Sequence, residues 1–96
     1  MRLNPEQIIV IRHIVQTIVG QSARATIFGS RLRDDVKGGD LDLLVESDQR
    51  ISVLQQARIK MALEEQLALP VDIITHQRGA HTTPFQRIAM ENGVPL

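Results

Sequence analysis

The sequence has no cysteine, no tryptophan and no tyrosine, and its only aromatic side chains are two phenylalanines. Without cysteine there is no disulfide, no zinc thiolate and no thiol nucleophile. Two rings are too few for a base-stacking platform on single-stranded nucleic acid. Net charge is missing too: 11 Lys and Arg balance 11 Asp and Glu. That argues against a protein that grips a long polyanion by bulk charge. No apolar run approaches the roughly 18 residues of a membrane span, and no secretory h-region follows Met1. A cytoplasmic protein that neither crosses a membrane nor binds nucleic acid directly is expected. What is present is a hydrophobic fraction of 43% over 96 residues. That is too apolar for disorder and suits one small domain over residues 1–96. A chain this short buries only about 65% of its unfolded surface, so a partner would add to its stability.

Punctuation along the chain marks short elements. Asn4-Pro5 opens a helix, with Asn4 as cap and Pro5 at the first helical position. Ile8, Ile11, Ile14, Val15, Ile18 and Val19 form its apolar stripe, and Gly20 ends it. Ile9 and Val10 fall outside the stripe, as plain surface or as a partner contact. Ala25 to Phe28 reads as a buried strand stopped by Gly29, and Leu41 to Val45 as a second strand interrupted by an acid. Ile51 to Leu69 reads as a helix with Leu54, Ala57 and Met61 on one side and Ile59, Leu63 and Leu67 adjoining. Lys60 and Glu64 are an i,i+4 pair on it. After Pro70, Val71 to Thr75 is a third strand and residues 76–82 a loop. Thr83-Pro84-Phe85-Gln86 starts a last helix with a capping box, which Gly93 closes. The order is helix, strand, strand, helix, strand, helix. It predicts an α/β (α+β) fold, a small mixed sheet with helices packed on it.

The chemistry concentrates between Phe28 and Val45. Residues two apart on a strand share a face, so Asp40 and Asp42 project together while Leu41, Leu43 and Val45 take the other side. Neighbouring carboxylates repel unless a cation sits between them. Hard oxygen ligands suit Mg²⁺, which takes one or two protein carboxylates and leaves the rest to water and phosphate. Asp72 lies inside an apolar strand, where an acid needs a reason. If that strand pairs beside Leu41–Val45, Asp72 falls about 5 Å from the first acids and completes a three-carboxylate cluster. Gly29-Ser30 follows a strand, where a glycine lets backbone approach a ligand and a hydroxyl can hold phosphate. Arg31 and Arg33 are placed to neutralise phosphate charge.

Each signal has an ordinary counterpart. An isolated Asp-x-Asp is usually solvated or caps a turn, an isolated Gly-Ser is usually a turn, and a lone strand Asp is often at an edge. An EF-hand is excluded because Leu44 occupies a ligand position of the loop. There is no P-loop and no G-x-G-x-x-G. His13 is placed on the polar side of the first helix, and His76 and His81 in loops, without zinc-type spacing. The conjunction of all three acidic and glycine signals is what points to a nucleoside triphosphate with Mg²⁺.

Phe28-Gly29-Ser30 followed by Gly39-Asp40-Leu41-Asp42-Leu43-Leu44-Val45 resembles the signature of polymerase-β-type nucleotidyltransferases. The small size resembles the minimal nucleotidyltransferases among them. The motifs span residues 23–75. Nine residues separate Ser30 from Asp40, about one fewer than is commonest in that family, and Asp34-Asp35 stands where many members carry glycine. The resemblance implies that Asp40, Asp42 and Asp72 are the catalytic, metal-binding acids. It implies that Gly29 and Ser30, with Arg31 and Arg33 in reach, bind the triphosphate. It further implies an antitoxin role beside a small helical HEPN-type toxin, silenced by transfer of AMP from ATP to its tyrosine. A hetero-oligomer is then expected, or a homodimer alone. The residues leave two rivals open: a non-catalytic module that neutralises its partner by contact, and an enzyme acting on a small molecule.

Overall fold

The computed structural model describes residues 3–29 and 40–96. Among the described residues seven elements follow one another: α1 (Pro5–Ile18), β1 (Arg24–Phe28), β2 (Leu41–Ser47), α2 (Val53–Leu67), β3 (Val71–Gln77), α3 (Pro84–Asn92) and β4 (Val94–Pro95). The four strands form one sheet in the order β3-β2-β1-β4. β1 runs antiparallel to β2 and β4, and β2 runs parallel to β3, so the sheet is mixed as expected.

Each helix starts at a reciprocal cap. Asn4 and Gln7, Ser52 and Gln55, and Thr83 and Gln86 exchange side-chain and backbone hydrogen bonds, which satisfy amides that the helix itself leaves open. The cap at Ser52 starts α2 two residues later than the expected Ile51, and Ile51 is buried ahead of it. α1 ends at Ile18, with Val19 as C-cap, just short of Gly20.

The core lies between α1 and α2 on one side and the sheet on the other. Ile11 and Val15 of α1, and Ile59 and Leu63 of α2, meet Ala25, Ile27, Leu41, Leu43, Val45, Val71 and Ile73. The α2 stripe differs from expectation. Leu54, Ala57 and Met61 are exposed, and the row through Ile59 and Leu63 carries the burial. At about 100° per residue, Met61 is some 200° from both Ile59 and Leu63 and cannot face the same neighbour. α3 contacts β1 and β2. Leu44, which alternation turns away from the α1–α2 core, is nonetheless fully buried.

Two further corrections concern the strands. β2 and β3 each run two residues beyond the predicted ends, because Glu46 pairs with His76 and Ser47 with Gln77. His76 is therefore a buried strand residue, not a loop histidine. Its Nδ1 lies 3.2 Å from Glu46 Oε2 and its Nε2 3.2 Å from the Ala80 carbonyl. β4 was not legible at all; it is two residues long and depends on Gly93. A Cβ there would sit 2.8 Å from the Ile27 carbonyl oxygen, so only glycine lets α3 turn this close to β1.

Side chains bond part of the outer edge of β3. The Val71 N–H donates to Glu64 Oε2 at 3.0 Å, and Lys60 Nζ donates to the Val71 carbonyl. Gln56 Nε2 donates to the Ile73 carbonyl at 2.8 Å and Gln86 Nε2 to the Thr75 carbonyl at 2.8 Å. Lys60 and Glu64 are also paired at 3.3 Å, as the i,i+4 spacing suggests. Three carbonyls and one N–H that would otherwise template a further strand thus already have partners.

Candidate active site

Asp42 and Asp72 are register partners on the adjacent parallel strands β2 and β3. The Leu41 N–H donates to the Pro70 carbonyl at 2.9 Å, which fixes the start of one strand against the other and so aligns the two acids. Neighbouring strands lie about 4.8 Å apart, so two carboxylates in register sit side by side. Asp40 precedes β2 directly and is exposed, while Asp42 is half-buried and Asp72 exposed.

Gly29 closes the site from the β1 side. Its φ of +80° belongs to the left-handed region that suits glycine, and a Cβ built on it would lie 3.2 Å from Asp42 Cγ and collide with a carboxylate oxygen. The glycine therefore lets the chain pass directly against Asp42. Phe28, just before it, meets Phe85 of α3 edge to face, with centroids 5.8 Å apart at 82°. The only two aromatic rings of the sequence are thus together beside a candidate catalytic acid. With Gly29, Asp42, Ile88, Ala89 and Asn92 they line a cleft of about 330 Å³. The spacing 85, 88, 92 is one face of a helix, and that periodicity was the signal available in the sequence for this wall.

Burial first, then the charges of Asp72 and of Asp40, push the Asp42 carboxyl above its ordinary value. The apo protein thus holds this carboxylate at an electrostatic penalty that a cation would relieve. Among the described residues no three His, Cys, Asp or Glu side chains stand close enough to form a metal centre on their own. The expected three-carboxylate cluster is a register pair with Asp40 alongside, because Asp40 lies outside the ladder that fixes the other two. Mg²⁺ needs no more than one or two protein carboxylates when phosphate and water supply the rest, so the donor set fits it. Of the expected phosphate-binding residues, Gly29 is in place, and Ser30, Arg31 and Arg33 lie outside the described residues. A separate hollow of about 380 Å³ between α1 and α2, lined in part by Ile9, His13 and Ala62, lies on the other face of the sheet.

A chain with this sheet, with a glycine turn against one carboxylate and a second carboxylate in register, has the layout of a nucleotidyl-transfer domain. The profile of the nucleotidyltransferase domain family matches residues 8–95. The chain belongs to that family. A solved structure described as a "putative minimal nucleotidyltransferase" superposes with a TM-score of 0.67 at 29% identity, covering 98% of this chain and 97% of that one. A protein of Methanocaldococcus jannaschii named "putative protein adenylyltransferase" is 44% identical over 54 residues, 55% of this chain and 58% of the relative. The match thus spans little more than half of that relative's length. No helix among the described residues is long and apolar enough to cross a membrane.

Proposed function

We propose that this protein is an Mg²⁺-dependent nucleotidyltransferase that moves AMP from ATP to a hydroxyl of a partner protein. The observation that carries this reading is the register pairing of Asp42 with Asp72, which puts two carboxylates at one point of the sheet beside a glycine turn. The name of the Methanocaldococcus relative supports an adenylyl donor and a protein acceptor. Resemblance to the minimal nucleotidyltransferases supports an antitoxin role, with a HEPN-type toxin as acceptor.

Asp40, Asp42 and Asp72 would hold Mg²⁺. Bound there, the ion supplies charge neutralisation and orientation of the triphosphate. Gly29 lets the backbone come close to the phosphates, and the Phe28–Phe85 cleft receives the nucleoside on the same side of Asp42. Asp72, on the outer strand, orients the acceptor hydroxyl and takes its proton. Ser30, Arg31 and Arg33 are assigned to the phosphates by the motif.

Thermal unfolding with a non-hydrolysable ATP analogue and Mg²⁺ tests this directly. A ligand bound only by the native state adds about 2.7 kcal/mol at 100-fold its Kd. The parent should gain stability from the two together, and Asp42→Asn should lose the gain. An equal gain in Asp42→Asn would remove this acid from the site.

A further inference from the structure

α2 carries two apolar rows, and the fold of this chain uses one. Ile59 and Leu63 go into the core, while Leu54 and Met61 stay 62% and 70% exposed. Leu54, Arg58, Met61, Ala62 and Glu65 fall within about 100° of the helix circumference and form one outward face. Beside it α1 adds Ile9, 64% exposed and outside the inward stripe of that helix. Ile9, Val10, Ile14 and Ala62 line the hollow of about 380 Å³ between the two helices, and Glu65 borders it. This face lies across the sheet from Asp42, which alternates with the inward Leu41 and Leu43.

We infer that this α1–α2 face binds a second copy of the chain, the two α2 helices running antiparallel about a two-fold axis at Met61 and Ala62. The sequence of α2 is symmetric about that point. Arg58 stands three positions before Met61, and Glu65 three positions after Ala62. An antiparallel partner helix therefore sets Arg58 against Glu65 of the second copy, and the two-fold repeats the same contact with the roles exchanged. Met61 meets Ala62 of the second copy, and its flexible, unbranched side chain enters the hollow beside that alanine. Ile9 and Val10, which the inward stripe of α1 does not use, are covered by the same contact.

The composition of the face favours a second copy over an unlike partner. It carries both a projecting apolar side chain, Met61, and a hollow able to take one. It also carries both signs of charge at matched positions. A wholly acidic partner would be attracted at Arg58 and repelled at Glu65, and a basic one the reverse. Among the described residues neither Arg58 nor Glu65 forms a salt bridge within the chain. The formal net charge is zero, so two copies meet without net repulsion. Exposed apolar side chains on two adjacent helices, bordered by charge, have the make-up of an interface rather than of solvated surface. The pairing leaves the Asp42 face of each copy open, so the inference does not depend on the nucleotidyl-transfer reading.

Sedimentation equilibrium over a concentration series tests this pairing. The parent should approach twice the chain mass of 10.7 kDa. Arg58→Glu and Glu65→Arg keep good helix formers at exposed positions, and circular dichroism checks that each variant is folded. Either change alone sets like charges against each other at both symmetric contacts. Each variant by itself should therefore dissociate with a Kd raised about ten-fold or more. An equimolar mixture of the two restores opposite charges at both contacts and should recover the parent's mass, as should the double variant. Met61→Arg places two arginines at the axis and should be monomeric. A parent that stays at 10.7 kDa at every concentration would overturn the inference. So would single variants that associate like the parent, or a mixture that associates no better than its components.

Discussion

Replacing Gly29 by alanine should separate backbone strain from a specific collision with Asp42. At φ +80°, a non-glycine residue costs about 1–2 kcal/mol. The new Cβ also lies 3.2 Å from Asp42 Cγ and closer to its carboxylate oxygen, and overpacking of that kind adds about 1–3 kcal/mol. The total is about 2–5 kcal/mol. Gly79 provides the control: its φ is +85°, but a Cβ there would meet nothing within 4 Å. Gly79→Ala should therefore lose only the backbone part, about 1–2 kcal/mol. Urea unfolding of both variants gives the difference. Asp42→Ala removes the carboxylate and leaves only its Cβ, at an ordinary 3.5 Å. In a double-mutant cycle Gly29→Ala should then cost about 1–3 kcal/mol less on the Asp42→Ala background than on the parent. Equal losses at Gly29 and Gly79, or additivity within about 0.5 kcal/mol, would refute the argument that Gly29 exists to admit Asp42.

The remaining expectations concern charge and the sheet edge. The folded-state value of Asp42 is raised, so its contribution to stability is greatest at acid pH and is lost as pH rises through that raised value. Asp42→Asn should therefore stabilise the apo protein at neutral pH, with the advantage shrinking on acidification; a pH series of thermal melts shows it. Glu64 has the opposite sign. The Val71 N–H and then Lys60 hold its carboxyl below the ordinary value, so its contribution is lost as pH falls through that lowered value. Glu64→Gln should narrow the parent's loss of stability in acid. Gln56→Leu removes the donor to the Ile73 carbonyl and should cost about 1 kcal/mol in urea unfolding.

The sequence was informative where local chemistry acts alone. The helix starts at Asn4 and Thr83 follow from capping side chains and a proline, and the alternation through Leu41–Val45 gives the strand and its buried face. The pairing of Asp42 with Asp72 was conditional in the sequence, since nothing local says that β3 lies beside β2. The misplaced α2 stripe has the same origin: two apolar rows compete on that helix, and only the sheet decides that Ile59 and Leu63 go inward. His76 looked like a loop residue because β3 continues through polar Thr75, His76 and Gln77, held by Glu46 and Ser47 across the ladder. The Phe28–Phe85 contact joins residues far apart in the chain and had no local trace beyond the helical face of α3.

The most direct test of nucleotidyl transfer to a protein hydroxyl runs the reaction backwards, so that no acceptor protein is required. A conjugate of AMP, joined through its phosphate to the hydroxyl of N-acetyl-tyrosinamide or of N-acetyl-serinamide, is incubated with this protein, pyrophosphate and Mg²⁺, and ATP formation is followed by luminescence. The parent should form ATP from at least one conjugate. Asp72→Asn should still bind AMP yet form ATP about 10²–10⁴-fold more slowly, the loss typical of a removed acid–base group, because in this direction the Asp72 carboxyl returns the proton to the departing hydroxyl oxygen. No ATP from either conjugate, or an unchanged rate in Asp72→Asn, would contradict the assignment.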